Sequence, residues 1–187
     1  LKYAGVFLCV IYTYATHRKD TRLVLAMFFT LLADTILMIV GARLLGVYVF
    51  CFAQMFHTLR LSKAPNTALM GYFVMLFLVF ASGTLWGIPS LYVMSFAYAA
   101  TLITNLRLAW RWYKAAPTNI YAASCFFGFV LFLCCDVNVA LAYLSQTGGI
   151  PSFIAPISSF LVFVFYYPSL ILISNSSNLA APVKIPA

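Results

Sequence analysis

Apolar runs of about 20 residues recur along this chain almost from end to end, parted by short stretches of charge, proline and glycine. Such a run crosses hydrocarbon as a helix, because inside lipid every backbone polar group must find its partner within the segment. The runs are apolar on both parities, which excludes a transmembrane barrel, whose strands alternate. With 65% hydrophobic and 7% charged residues, the chain lacks the polar surface that would cover a water-soluble domain. The fold class is therefore all-α: a polytopic membrane helix bundle, one domain over residues 1–187 with a short polar tail from about residue 175.

The breaks "HRKDTR" (17–22), "GAR" (41–43), "RLSKAPN" (60–66), "WGIPS" (86–90), "RLAWRWYKAAPTN" (107–119) and "SQTGGIPS" (145–152) read as loops. They leave seven spans, at about 3–16, 21–40, 44–59, 67–85, 90–106, 120–144 and 153–174. Trp86, Trp110 and Trp112 fall at span ends, where indole rings anchor at the membrane interface. Nine basic residues lie on one side: Arg18, Lys19, Arg22, Arg60, Lys63, Arg107, Arg111, Lys114 and Lys184. The other side has two, Lys2 and Arg43. Basic loops stay cytoplasmic, so the C-terminus is expected there, in a bacterial inner membrane or that of the endoplasmic reticulum. A first span that begins outside implies one more helix upstream, eight in the full protein. The net charge of +8 is thus a matter of topology, and nucleic-acid binding is not expected.

Of three acidic residues, two stand inside spans: Asp34 in "TLLADTILMIV" and Asp136 in "LFLCCDVNVAL". An ionisable side chain in hydrocarbon is costly and marks either a functional site or a polar tie between helices. Here the two contexts are alike, and spans two and six run in the same direction. Asp34 precedes Arg43 by nine residues and Asp136 precedes Gln146 by ten. At ~1.5 Å per residue both carboxylates lie roughly 13–15 Å from the same end of the bundle, so the two helices are expected to bring them together. Gln54 and Tyr98 reach comparable depth. Asn138 follows Asp136 by two positions, on another face of its helix, and Tyr166 lies deeper, beside Tyr167 and Pro168. His17 and His57 lack a ligand set, and the five cysteines show no metal spacing and read as small buried hydrophobes. No metal or cofactor is expected.

The chain has no G-x-S-x-G elbow, no H-E-x-x-H and no phosphate-cradling glycine loop. Carboxylate acid–base chemistry is the strongest catalytic option left. In this light, Lys2 followed by "FTLLADTILM", "GVYVFCFAQMFHTLRL", "FAYAATLITNLRLA", "GFVLFLCCDVNVAL" and "FYYPSLILISNSS", in that order, resembles the YhhN-like lysoplasmalogenase family of multispanning membrane proteins. The departures are Ala33 and Cys135 before the aspartates, Gln54 where a histidine is common, Leu170 where a glutamine is expected and Tyr3 for a proline. The resemblance implies hydrolysis of the vinyl-ether bond of lysoplasmalogens to a fatty aldehyde and a glycerophospho-alcohol. The substrate would be a lysophospholipid within the bilayer. Asp34 and Asp136 would then be acid and base, with Lys2, Gln54, Tyr98, Asn138 and Tyr166 binding or orienting.

Paired intramembrane aspartates also serve proton relays, so a small proton-coupled transporter is the main rival. Against it, the chain shows no inverted repeat and no pair of broken spans around the aspartates. An intramembrane aspartyl protease would carry a G-x-G-D type motif, unlike "LLAD" and "LCCD". A receptor or assembly protein would use the aspartates only for packing. A carboxylate pocket open to lipid favours the hydrolase, and a polar path through both leaflets favours the carrier.

Overall fold

The computed structural model describes residues 2–177, with side chains from residue 4 onward. Lys2 and Lys184 therefore fall outside the described side chains, as does most of the polar tail. Over the described residues the chain forms α1 (Lys2–His17), α2 (Thr21–Thr35), α3 (Arg43–Leu61), α4 (Pro65–Leu85), α5 (Ser90–Ala115), α6 (Ile120–Gln146) and α7 (Ile154–Ser174), and no strand. A π-helical turn, Ile36–Val40, prolongs α2 and ends at Gly41, whose φ of 71° suits a residue without a Cβ. Taken with that turn, α2 joins α3, α4, α6 and α7 as helices long and apolar enough to cross a membrane. The other two fall short of that measure, α1 by its 16 residues and α5 as the least apolar of the set, yet both pack among the five. The molecule is a polytopic helical bundle.

Helix starts follow local chemistry. The Asp20 side chain accepts from Leu23 N (3.2 Å) at the start of α2, and Asn119 accepts from Tyr121 N (2.9 Å) at the start of α6. Pro65 opens α4, where its missing N–H costs nothing. One boundary needs correction. The stretch from Arg107 was expected to be loop, but α5 continues to Ala115. "RLAWRWYK" has charge without a glycine or proline, and charge alone does not end a helix. The rings of Trp110 and Tyr113 also pack on Phe126 of α6 (4.9 and 5.5 Å between centroids). The helix stops two residues short of Pro117.

Neighbour relations close on themselves. Helix α1 packs on α2, α2 on α3, α3 on α5, α5 on α6, α6 on α7, and α7 on α1. Helix α4 lies outside this ring against α3 and α5, and only 11% of its spanning window is buried. Its Met70, Phe73, Phe77 and Leu78 are exposed, as side chains meeting lipid should be. Leu23, Met27, Leu102, Phe129, Phe132, Leu170 and Ile173 fill the centre of the ring. The α6–α7 seam is closed by a glycine. A Cβ on Gly128 would stand 2.7 Å from the Ile173 side chain and 3.1 Å from its backbone nitrogen.

Candidate active site

Four helices of the ring each bring one polar side chain to its interior. Tyr98 of α5 donates its hydroxyl proton to Asp136 Oδ2 of α6 (2.5 Å), and Tyr166 of α7 donates to Asp34 Oδ2 of α2. The two carboxylates, about a hundred residues apart in sequence, lie within electrostatic range of one another, and Tyr166 lies within range of Asp136 as well. Asp34 is buried and Asp136 half-buried. Each tyrosine is braced alike on its own helix: Thr101 Oγ1 donates to the Tyr98 carbonyl (2.7 Å) and Ser169 Oγ to the Tyr166 carbonyl (2.6 Å).

Aromatic rings wall the site. Phe50 of α3 lies against Tyr98 (5.7 Å between centroids) and Phe132 (6.4 Å), and Phe132 lies against Tyr166 (5.8 Å). The arc Tyr98–Phe50–Phe132–Tyr166 thus joins the two hydrogen-bonded pairs with apolar surface. Cys135, buried, is within electrostatic range of Asp34. Among the described residues no group of three His, Cys, Asp or Glu side chains is disposed to hold a metal ion.

Of the residues singled out from sequence, Asp34, Asp136, Tyr98 and Tyr166 come together. Gln54 is engaged elsewhere. Its Oε1 and carbonyl accept from Asn105 Nδ2 (2.8 and 2.9 Å), while Asn105 Oδ1 accepts from Thr58 (2.8 Å). This knot is a polar tie between α3 and α5, one turn past Phe50. Asn138 turns back on its own helix and donates to the Cys134 carbonyl (2.8 Å). Sequence reasoning passed over Asn105, although an asparagine in "TLITNLRLA" is as unusual in a span as Gln54. It also passed over Phe50 and Phe132, which nothing distinguishes among eighteen phenylalanines.

A second buried polar group lies at the basic end of the bundle. Arg60 Nε is 3.7 Å from Asp20 Oδ2, and Arg60 also donates to Ser176 Oγ (2.5 Å) and the Ser176 carbonyl (3.3 Å). Ser177 Oγ donates to Asp20 (3.2 Å). The group ties the ends of α2, α3 and α7.

Compared with known proteins, residues 1–177 match the family model described as YhhN family, and the chain belongs to that family. No curated protein and no solved structure matches it.

Proposed function

We propose, with membership of the YhhN family as the premise, that this protein is an integral-membrane hydrolase. It cleaves the vinyl-ether bond of lysoplasmalogens, and Asp34 and Asp136 are the acid–base pair. The observation that carries the reading is the pair itself: two membrane-interior carboxylates within electrostatic range, each accepting from its own tyrosine.

The chemistry needs one protonated carboxyl and one carboxylate, as two adjacent carboxyls can provide by sharing a proton. The first gives its proton to the alkenyl β-carbon, and the double bond becomes an oxocarbenium ion that the carboxylates stabilise. Water adds to the cationic carbon while the second carboxylate takes its proton, forming a hemiacetal. The second residue then returns a proton to the ether oxygen as the first takes the hemiacetal hydroxyl proton. The C–O bond breaks, releasing aldehyde and alcohol, and both residues regain their starting states. One water is consumed. Tyr98 and Tyr166 hold one oxygen of each carboxylate, so Oδ1 is the atom that would carry or take the transferred proton. The ring arc would lodge the alkenyl chain. Gln54 acts through Asn105 on the α3–α5 spacing; Lys2 and Asn138 have no step in this scheme.

A proton carrier would need polar groups on both sides of the pair. On the far side of Tyr98 from Asn105, the buried side chains of α5 are Val93, Met94 and Ala97. The test is aldehyde release from lysoplasmenyl-ethanolamine and lysoplasmenyl-choline by purified full-length protein. Wild type is expected to release aldehyde, with Asp34→Asn and Asp136→Asn folded and inactive. A wild type inert on both lipids would overturn the reading.

A further inference from the structure

The bundle end opposite the Asp20–Arg60 group has one described basic side chain, Arg43. Each of the three acidic residues of the chain is engaged away from it: Asp20 with Arg60, Asp34 with Tyr166 and Asp136 with Tyr98. Instead of a carboxylate, the Arg43 guanidinium has a ring: it lies over Tyr143, 5.3 Å from the centroid. Tyr92 brings its hydroxyl within interaction range of Tyr143. The guanidinium is a planar fork of N–H donors of the kind that suits a phosphate. Helix α3 starts at Arg43 without a side-chain cap, so its first backbone N–H groups face the same end.

The register of α6 joins this group to the carboxylates. Tyr143 follows Asp136 by seven residues, two turns, so both stand on one face about 10 Å apart along the helix. Between them on that face are Val139 and Ala140, both exposed. Along this lane only a methyl group intrudes at position 140. In a 1-alkenyl lysophospholipid seven bonds separate phosphorus from the carbon that takes the proton. At roughly 1.2 Å per bond in an extended chain, that is about 8–9 Å, close to the step of about 10 Å from Tyr143 to Asp136 along α6.

We infer that Arg43, with Tyr143 and Tyr92, binds the phosphodiester of a single-chain phospholipid whose glycerol end then reaches Asp34 and Asp136 along the Ala140 lane. The inference rests on the hydrolase reading for the identity of the reacting end and on Arg43 geometry for the phosphate. A mere interfacial anchor would show no preference for a phosphate-bearing ligand.

The test measures binding by the full-length chain in maltoside detergent, which brings no phosphate. Three probes are used: a saturated 1-O-alkyl lysophosphoethanolamine, which has no vinyl ether to hydrolyse; the matching 1-O-alkylglycerol, without phosphate; and inorganic phosphate, without a chain. Wild type should bind the lysophospholipid about ten-fold more tightly than the alkylglycerol, with phosphate alone a poor competitor. Arg43→Gln should remove that preference and leave alkylglycerol binding unchanged, and Arg43→Lys should restore part of it. Equal elution and unfolding temperature identify folded variants. An Arg43→Gln protein that keeps wild-type affinity would overturn the inference, as would competition by phosphate alone at lysophospholipid concentrations, which would mark a free-anion site. Because the probe is inert, the two readings separate. Aldehyde release with Arg43-independent binding removes the phosphate site alone, and Arg43-dependent binding without aldehyde release removes the hydrolase alone.

Discussion

At the scale of single residues, each aspartate accepts from a tyrosine of another helix, and substitution separates a catalytic pair from a polar tie. Each hydrogen bond aims one carboxylate oxygen. Asp34→Asn and Asp136→Asn should each lower kcat for aldehyde release by about 10²–10⁴, the usual weight of a general acid or base. Tyr98→Phe and Tyr166→Phe keep the rings in the arc but remove the donors. They should lower kcat about ten-fold with little change in KM, because in the proposed scheme those hydroxyls hold the carboxylates and not the substrate. Steady-state kinetics on the four variants checks both statements. A Tyr98→Phe enzyme changed only in KM would place that hydroxyl on the substrate instead. Asp34 and Asp136 were legible beforehand because a charged side chain in an apolar run is conspicuous at any position. Tyr98 and Tyr166 were also singled out, by depth and by the resemblance, but which carboxylate each would meet was not legible, because it depends on helix rotation and adjacency.

At the scale of helices, two polar ties hold elements that surround the site without touching it. The Gln54–Asn105–Thr58 knot joins α3 to α5, and with them Phe50 to Tyr98. Asn105→Leu leaves the buried Gln54 Oε1 without its partner, while Thr58 Oγ1 and the Gln54 carbonyl keep each other (3.0 Å), and should cost about 1–3 kcal/mol of stability. In detergent unfolding it should lower the transition temperature, and activity lost at 20 °C with an unchanged fold would show that the α3–α5 spacing matters to the chemistry. At the basic end, Asp20 and Arg60 are 7% and 8% exposed, so Arg60→Met leaves a buried carboxylate unpaired and should cost about 3–5 kcal/mol. The double variant Asp20→Asn/Arg60→Met should recover part of that loss, and a double variant no better than Arg60→Met would deny the coupling. The extra helical turns of α5 beyond Leu106 belong to this scale too. Charge marked that stretch as a break between spans, but charge says nothing about whether a helix stops there.

At the scale of the whole molecule, the closed ring sets the route to the site. Helix α4 lies outside and α3 packs directly on α5, and the proposed lane of α6 runs from Tyr143 to Asp136. Ala140→Trp should fill that lane and raise KM several-fold for the alkenyl lipid while leaving the unfolding temperature close to wild type, since position 140 is exposed. Orientation is open to direct test. Single cysteines at Lys19 and Gly148, in a background freed of the native five, should react with an impermeant maleimide from opposite sides, with Lys19→Cys on the cytoplasmic side. Labelling of Lys19→Cys in intact cells would reverse the proposed topology.

What this sequence determined by itself was everything set by transfer from water to lipid: seven helices, six of them with boundaries near those expected, and two aspartates inside apolar runs. Those quantities are local, because each depends only on which residues follow one another along a span. The tertiary structure decided which span stands beside which, and so that Asp34 meets a tyrosine of α7 while Asp136 meets one of α5. It also decided that Gln54, at the right depth, faces Asn105 and not the carboxylates. Helix adjacency comes from close packing at seams such as Gly128 against Ile173, where the absence of one methyl group lets two backbones approach. Side-chain partners across such seams depend on helix rotation, and apolar runs that are apolar all round leave that rotation unspecified.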